Sequence, residues 1–281
     1  MMPFGERLAT AFRERSHLAV GIDPAAGALG AWGLPDTPAG LERFAAGILE
    51  AAWEGGAAAI KPQAAFFERH GAGGIGVLER LLARAREMGL LTILDVKRGD
   101  IGSTMEGYAQ AYLAATAPLA ADAVTLSPYL GFGSLRPALD AAARTGRGVF
   151  VLAFTSNPEG LSVQRATSPA GIAVGDAMIQ AAAAANAGAT PMGSVGLVIG
   201  ATIGSFSPVG AELITQVNGP ILAPGVGAQG AGPAQLADLF GKVRHLVLAT
   251  SSRAVAAAGP PKGALVAAVR RNAQQVSFLG N

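Results

Sequence analysis

The chain has 281 residues, 51% of them hydrophobic and 14% charged, and its 21 basic and 19 acidic residues leave a net charge of +2. Because the charges nearly balance and form no Lys/Arg block, they do not indicate a nucleic-acid partner. The sequence has no cysteine, which excludes disulfides, thiolate nucleophiles and cysteine-based metal sites and is compatible with a reducing cytoplasm.

Short apolar runs alternate with longer segments of helical periodicity along the chain. The first residues, MMPFGERLATAFRERSH, lack the apolar core of a secretion signal, and we expect a cytoplasmic chain without a membrane span. The eight apolar runs are residues 18–23, 57–62, 91–97, 123–128, 148–154, 194–201, 221–225 and 245–251. Segments such as 41–56 and 77–89 repeat apolar residues at i, i+3, i+4 and i+7, which predicts amphipathic helices. Residues 71–76, GAGGIG, are predicted to be a loop before a helix.

The alternation of strands and helices predicts a parallel sheet. Eight such units fit an α/β fold of the (β/α)8 TIM-barrel type, in one domain over residues 1–281. A doubly wound open sheet is the alternative. We favour the barrel because polar residues follow the predicted strands, where a barrel builds its active site. These residues are Asp23, Lys61, Asp95, Lys97, Ser127, Gly225 and Ser251. The insertion at residues 157–171 is a candidate lid.

Four charges stand near the end of the third apolar run, in the segment LTILDVKRGDIGST at residues 91–104. Asp95 and Lys97 are two residues apart, so on a strand they point to the same face. Lys61 ends the preceding strand, and Asp100 follows in the next loop. Since burying these groups unpaired would be costly, we expect them to pair with one another or with a polar ligand. A purely structural ion-pair network is the alternative.

The segment DVKRGDIGST resembles the D-x-K-x-x-D-I-x-x-T signature of the orotidine 5'-phosphate decarboxylase family. The blocks around it agree in order, namely GIDP, IKPQAAFFERHG, SNPEG, APGVGAQG and SSR. The length and the IKPQ and SPYLG blocks resemble the longer, mycobacterial-like branch of that family. D-x-K-x-x-D alone is shared with sugar-phosphate decarboxylases and aldolase-like relatives in the same superfamily.

The resemblance implies decarboxylation of orotidine 5'-monophosphate to UMP, the last step of pyrimidine synthesis, with no cofactor and no metal. It implies that Lys97 protonates C6 of the pyrimidine and that Asp95 lies beside the departing carboxylate. Lys61 and Asp100 would complete the network, with Asp100 reaching the site of the partner subunit in a homodimer. The implied substrate-binding residues are Asp23 at the ribose, Thr104 near that edge, Ser156 at the base, and Gln229, Ser252 and Arg253 around the phosphate.

The residues 225–230, GVGAQG, formally match G-x-G-x-x-G. As a dinucleotide fingerprint the match is weak, because it begins at the seventh strand and not in a first βαβ unit. The loops after strands seven and eight of a barrel commonly cradle a phosphate, and Arg253 offers a forked cation for one. An ordinary tight turn is the alternative interpretation of these glycines.

Three other functions stay open at this stage. The first is a Mg²⁺-dependent sugar-phosphate decarboxylase or aldolase-like enzyme of the same superfamily. The second is a Schiff-base aldolase that uses Lys61 or Lys97. The third is a non-catalytic barrel that binds a nucleotide.

Overall fold

The computed structural model describes residues 2–225 and 232–280, in which eight parallel strands alternate with helices. The strands are β1 (Leu18–Ile22), β2 (Ala59–Pro62), β3 (Leu91–Arg98), β4 (Ala123–Leu126), β5 (Gly148–Phe154), β6 (Val195–Ile199), β7 (Ile221–Ala223) and β8 (Val247–Ser251). The α-helices are α1 (Phe4–Glu14), α2 (Ala26–Ala31), α3 (Pro38–Glu54), α4 (Ala65–Glu68), α5 (Gly71–Glu87), α6 (Gly102–Leu113), α7 (Arg136–Thr145), α8 (Leu161–Gln164), α9 (Val174–Ala185), α10 (Pro208–Leu213), α11 (Pro233–Phe240), α12 (Arg253–Ala256) and α13 (Lys262–Gln275). Short 3₁₀ helices cover Phe132–Leu135, Pro158–Gly160, Ile214–Gln216, Gly241–Leu246 and Ser277–Gly280.

The sheet closes into a barrel because β1 pairs with both β2 and β8. Ala19 lies opposite Ala59 of β2 and Thr250 of β8, and the remaining neighbours pair in parallel in chain order. Each predicted apolar run coincides with one strand, and only β3 extends beyond its run, by one residue. The (β/α)8 prediction is therefore confirmed, and the open doubly wound sheet is excluded.

The core has two layers, one inside the barrel and one between the sheet and the helices, so most strands are buried along their whole length. This explains why the strands read as apolar runs without polar alternation. Helix α3 buries Leu41, Phe44 and Ile48, the stripe that its periodicity predicts.

The loop prediction for residues 71–76 is wrong, because α5 already begins at Gly71. A Cβ on Gly74 would lie 2.0 Å from the carbonyl oxygen of Phe67. The glycines therefore let the start of α5 pack against α4, a tertiary requirement that overrides the low helix propensity of glycine.

Helix α1 covers the amino-terminal end of the barrel. The Phe4 ring packs edge-on against Phe150 with the ring centroids 5.9 Å apart, and the Gly5 N–H donates to Ser194 Oγ at 3.0 Å. Arg7 pairs with Asp122, directly before β4. Within residues 2–225 and 232–280, no helix has the length and apolar character needed to cross a bilayer.

Candidate active site

A cavity of about 340 Å³ opens at the carboxyl ends of the strands. Seven of the ten predicted site residues line it, and they come from β1, β2, β3, β5 and β8 or the loops that follow them. They are Asp23, Lys61, Asp95, Lys97, Ser156, Ser252 and Arg253. The expectation that the chemistry-bearing side chains meet at this rim therefore holds for most of the set.

Asp95 is the centre of the polar network on the cavity wall. Its Oδ2 accepts from Lys61 Nζ at 2.9 Å, and its Oδ1 accepts from Lys97 Nζ at 2.5 Å and from Thr125 Oγ1 at 2.8 Å. The side chains of Asp95 and Lys61 are 8% and 9% exposed, whereas that of Lys97 is 44% exposed. Both lysines line the cavity, and Lys97 is the more exposed of the two.

The ion pairs keep Asp95 and Lys61 charged although both side chains are buried. Burial opposes the charge on Asp95, but Lys61 and Lys97 together lower the pKa of that carboxyl to about 2. Burial also opposes the charge on Lys61, but Asp95, with a smaller contribution from Asp23, outweighs it and raises the pKa of the ammonium. At neutral pH Asp95 and Lys61 are therefore both ionised and fixed in place.

The backbone at Lys97 departs from a regular strand. Its φ is +45°, in the left-handed region that non-glycine residues seldom adopt. The pairing of β3 with β4 shifts register between Leu94 and Arg98, and the Lys97 N–H donates to Thr125 Oγ1 at 3.0 Å. Simple alternation therefore does not explain why Asp95 and Lys97 meet, because an irregularity in the strand re-aims the lysine.

Asp23 and Ser252 form a second polar pair across the β1–β8 seam. Ser252 Oγ donates to Asp23 Oδ2 at 2.6 Å, while Asp23 Oδ1 is buried without a hydrogen-bond partner in the described structure. A Cβ on Gly21 would lie 2.6 Å from Ser252 Cβ, so glycine permits this close approach. The free carboxylate oxygen is an acceptor that a ligand hydroxyl can satisfy.

Asp100 and Thr104 lie away from the cavity. Asp100 is partly exposed in the loop after β3, and its Oδ1 accepts the Ile101 N–H at 2.8 Å. Thr104 is exposed in the first turn of α6. The predicted Lys–Asp–Lys–Asp set is thus assembled for three members within one chain, and the role of Asp100 stays a prediction.

The predicted phosphate loop falls largely on residues 226–231, so Gln229 lies outside the described residues. Gly225 lines the cavity with φ +98°, which favours glycine, and Arg253 lines the same cavity at the start of α12. Gly225 and Arg253 thus both line the cavity, and the binding of a phosphate there stays a prediction.

Two of the polar residues expected at the rim are placed elsewhere. Ser251 is buried and donates to Asn272 Oδ1 of α13 at 2.8 Å, because it points out of the barrel while Ser252 points in. Ser127 packs against Gly99 in the neighbouring loop and does not line the cavity.

The insertion after β5 reaches the cavity at two points: Asn157 lines the cavity and its Oδ1 accepts from Thr155 Oγ1 at 2.7 Å, and Gln164 also binds Thr155. Gln164 Oε1 accepts the Thr155 N–H at 2.9 Å, and Gln164 Nε2 donates to Thr155 Oγ1 at 2.7 Å. Thr155 lines the cavity beside Ser156. The lid role of this segment stays a prediction.

Sequence reasoning missed Thr125, which bridges Lys97 and Asp95 from β4. In the sequence Thr125 is an ordinary β-branched strand residue. The one feature that could have indicated its role is a hydroxyl inside an otherwise apolar run, on the strand next to the charged one.

Among residues 2–225 and 232–280, no group of three or more His, Asp or Glu side chains is arranged to hold a metal ion.

Comparison with known proteins points to one family. The model of the orotidine 5'-phosphate decarboxylase / HUMPS family matches residues 17–268. Proteins named orotidine 5'-phosphate decarboxylase from Salinispora arenicola and Streptomyces coelicolor are similar to this chain. The first is 54% identical over 271 residues, 96% of each chain. The second is 51% identical over 276 residues, 98% of each chain.

Solved structures agree with the sequence comparison. A crystal structure from Streptomyces avermitilis, described as that of a candidate orotidine 5'-phosphate decarboxylase, has a TM-score of 0.94 at 49% identity and covers 100% of this chain and 96% of its own. The structure of Leishmania donovani OMP decarboxylase has a TM-score of 0.78 at 30% identity and covers 99% of both chains.

Proposed function

The chain belongs to the orotidine 5'-phosphate decarboxylase family, and we propose that it converts orotidine 5'-monophosphate to UMP and CO2 without a metal or organic cofactor. The observation that carries this proposal is the Lys61–Asp95–Lys97 network on the wall of the cavity. As an enzyme of pyrimidine synthesis it would act in the cytoplasm, as expected from the sequence.

The reaction requires a cation beside the carbon that loses CO2. The bond from C6 to the carboxylate breaks, its electron pair stays on C6, and the Lys97 ammonium then gives its proton to that carbon. A fixed ammonium stabilises the developing negative charge and supplies the proton, whereas an arginine keeps its proton. Lys97 is held by Asp95 at 2.5 Å, lines the cavity and has a side chain that is 44% exposed, which suits both tasks.

Asp95 would lie beside the departing carboxylate and keep Lys97 oriented. Its repulsion of the substrate carboxylate would end when CO2 leaves, but we assign the larger effect to preorganised electrostatics. Lys61 neutralises the other oxygen of Asp95 from the buried side, which keeps the network rigid.

The remainder of the substrate would extend across the cavity from this network. Asp23 Oδ1 would accept a ribose hydroxyl, Ser156 would contact the base, and Ser252 and Arg253 would bind near the phosphate together with Gln229. Binding energy at the phosphate end can serve the transition state by ordering the site. A second copy of the chain in a homodimer would bring Asp100 and Thr104 to the open edge of the cavity, which agrees with their position on the surface of one chain.

The test is an ultraviolet assay of purified protein with orotidine 5'-monophosphate, with and without EDTA. We expect the absorbance of the substrate to convert to that of UMP at the same rate in both conditions. Loss of turnover in EDTA, or turnover of a keto-sugar phosphate instead, would point to the Mg²⁺-dependent relatives. Binding of UMP without any turnover would leave a non-catalytic barrel, and a lysine adduct trapped by borohydride would indicate a Schiff-base enzyme.

A further inference from the structure

The segment of β3 around Lys97 departs from regular pairing with β4. Asp95, Val96 and Lys97 all lie opposite the single residue Thr125 of β4, because the register resumes only where Arg98 pairs with Leu126. Lys97 also has a φ of +45°. A non-glycine residue is strained in this region, so the surrounding structure must hold it there.

Thr125 supplies the contacts that hold this segment. Its hydroxyl accepts the Lys97 N–H at 3.0 Å and donates to Asp95 Oδ1 at 2.8 Å. The first bond satisfies the Lys97 N–H, which has no partner in the irregular pairing of β3 with β4. The second orients the Asp95 carboxylate, which in turn binds the Lys97 ammonium. One hydroxyl thus fixes both the backbone and the side-chain partner of the same lysine.

The surroundings of Thr125 make this geometry rigid. Thr125 is 1% exposed, and the ladder resumes directly beyond it, where the Ser127 N–H donates to the Arg98 carbonyl at 2.8 Å. Arg98 turns away from the cavity and pairs with Glu68 of α4. The strand is therefore anchored on both sides of Lys97, and Thr125 is the anchor that also touches Asp95.

We propose that Thr125 is a positioning residue for the decarboxylation, whose hydroxyl holds Lys97 in its strained conformation with its ammonium aimed at C6. This inference rests on the proposed function. Thr125 acts through Lys97 and Asp95, so its loss should slow the chemical step while leaving the affinity for nucleotide in place.

Thr92, at the amino end of β3, offers a matched control for Thr125 of β4. Thr92 is also buried, its hydroxyl accepts the Asp122 N–H at 3.0 Å, and it donates to Asp122 Oδ2 at 3.0 Å. Thr92→Val and Thr125→Val therefore each remove two hydrogen bonds of the same kinds, one from a backbone N–H and one to a carboxylate. Only Thr125→Val removes them beside the cavity.

The experiment measures kcat for orotidine 5'-monophosphate, the dissociation constant for UMP and the thermal unfolding midpoint for wild type, Thr125→Val, Thr125→Ser and Thr92→Val. We expect Thr125→Val to lower kcat by about 10- to 100-fold, the factor expected for a lost hydrogen bond to a charged group. Its UMP affinity should stay within about threefold, and Thr125→Ser, which keeps the hydroxyl, should restore kcat to within about threefold. Thr92→Val should keep the wild-type kcat even if its unfolding midpoint falls further. If Thr125→Val does not fold, Thr125→Cys, with a weak thiol donor of similar size, replaces it with the same expected loss.

Three results would overturn the inference while leaving the proposed function intact, namely a wild-type kcat in Thr125→Val, an equal loss in Thr92→Val, or a UMP affinity that falls in parallel with kcat. A wild-type protein that does not turn over orotidine 5'-monophosphate would instead overturn the proposed function and this inference with it.

Discussion

A carboxylate–threonine–cation network lies at each end of β3, and the two networks use the same kinds of contact, with the threonine on β4 at the carboxyl end and on β3 at the amino end. At the carboxyl end, Thr125 accepts a backbone N–H and donates to Asp95, which binds Lys61 and Lys97. At the amino end, Thr92 accepts a backbone N–H and donates to Asp122, which binds Arg7.

The two networks differ in the cation and in what the cation can do. The Arg7 guanidinium pairs with Asp122 and also donates to the Gly146 carbonyl at 3.0 Å, so it ties α1 to the bottom of the barrel. Arginine keeps its proton, whereas a lysine ammonium can give one up. Lys97 is 44% exposed on the cavity wall and sits on strained backbone. We therefore propose that similar local chemistry stabilises the fold at the amino end of β3 and serves catalysis at the carboxyl end, which agrees with the usual division between the two faces of a barrel.

Replacing Lys97, the proposed proton donor, should give the largest difference in kcat between variants at the two ends of β3. Lys97→Ala should lower kcat by about 100- to 10,000-fold, the range for loss of a positioned general acid, and Lys97→Arg should be nearly as slow because arginine does not release a proton. Lys262→Ala, which removes a surface ion pair with Glu54, is the matched lysine control and should keep the wild-type kcat. Steady-state ultraviolet kinetics measure kcat for each variant. A Lys97→Arg variant with wild-type kcat would refute the proposal that the Lys97 ammonium donates the proton.

The second-largest expected effect is a loss of unfolding free energy at acid pH, which arises from Asp95 at the carboxyl end of β3. The pKa of Asp95 is lowered from 3.8 to about 2 in the folded protein. As the pH falls, the unfolded chain therefore takes up this proton first, and a contribution of roughly 2 kcal/mol present above pH 4 is lost as the pH falls toward 2.

This contribution can be isolated with the Asp95→Asn variant in urea unfolding at pH 5 and pH 3. The difference in unfolding free energy between wild type and variant should shrink by about 1 kcal/mol between these two pH values. An unchanged difference would mean that the carboxyl does not gain its charge stabilisation from Lys61 and Lys97.

Breaking the amino-end network should have the smallest effect, and it should act on stability alone. Arg7→Gln removes the ion pair with a partly exposed Asp122, and we expect the unfolding free energy to fall by about 1 kcal/mol. The kcat should stay within about twofold of wild type. Chemical denaturation and the ultraviolet assay measure the two quantities, and a large fall in kcat would show that the ends of β3 are coupled.

The sequence predicted the barrel and the gathering of Lys61, Asp95 and Lys97 at its rim, because apolar runs and the polar residues that follow them are local patterns, although strand alternation is not what brings Lys97 to Asp95. Apolar runs define the strands, and polar residues at their ends mark the rim. It did not predict the strained turn at Lys97 or the bridge from Thr125, because a register irregularity depends on how two strands pair.

Contacts between distant parts of the chain were missed for the same reason. The Arg7–Asp122 pair joins α1 to the start of β4, and neither residue stands out in a local pattern. Ser251 was expected at the rim, but the side-chain direction at the end of β8 turns it toward Asn272. The helical start of α5 depends on close packing against α4, which glycine composition alone does not reveal.

The most direct test of the division between the two ends is to measure kcat and unfolding free energy for Asp95→Asn and Asp122→Asn side by side. Asp95 lies on β3 and Asp122 lies directly before β4. Each substitution removes one carboxylate charge and nearly preserves the shape of the side chain. We predict that Asp95→Asn lowers kcat at least about 100-fold, whereas Asp122→Asn loses about 1–2 kcal/mol of stability and keeps kcat within about threefold. Equal losses of kcat in the two variants, or a wild-type kcat in Asp95→Asn, would contradict the account.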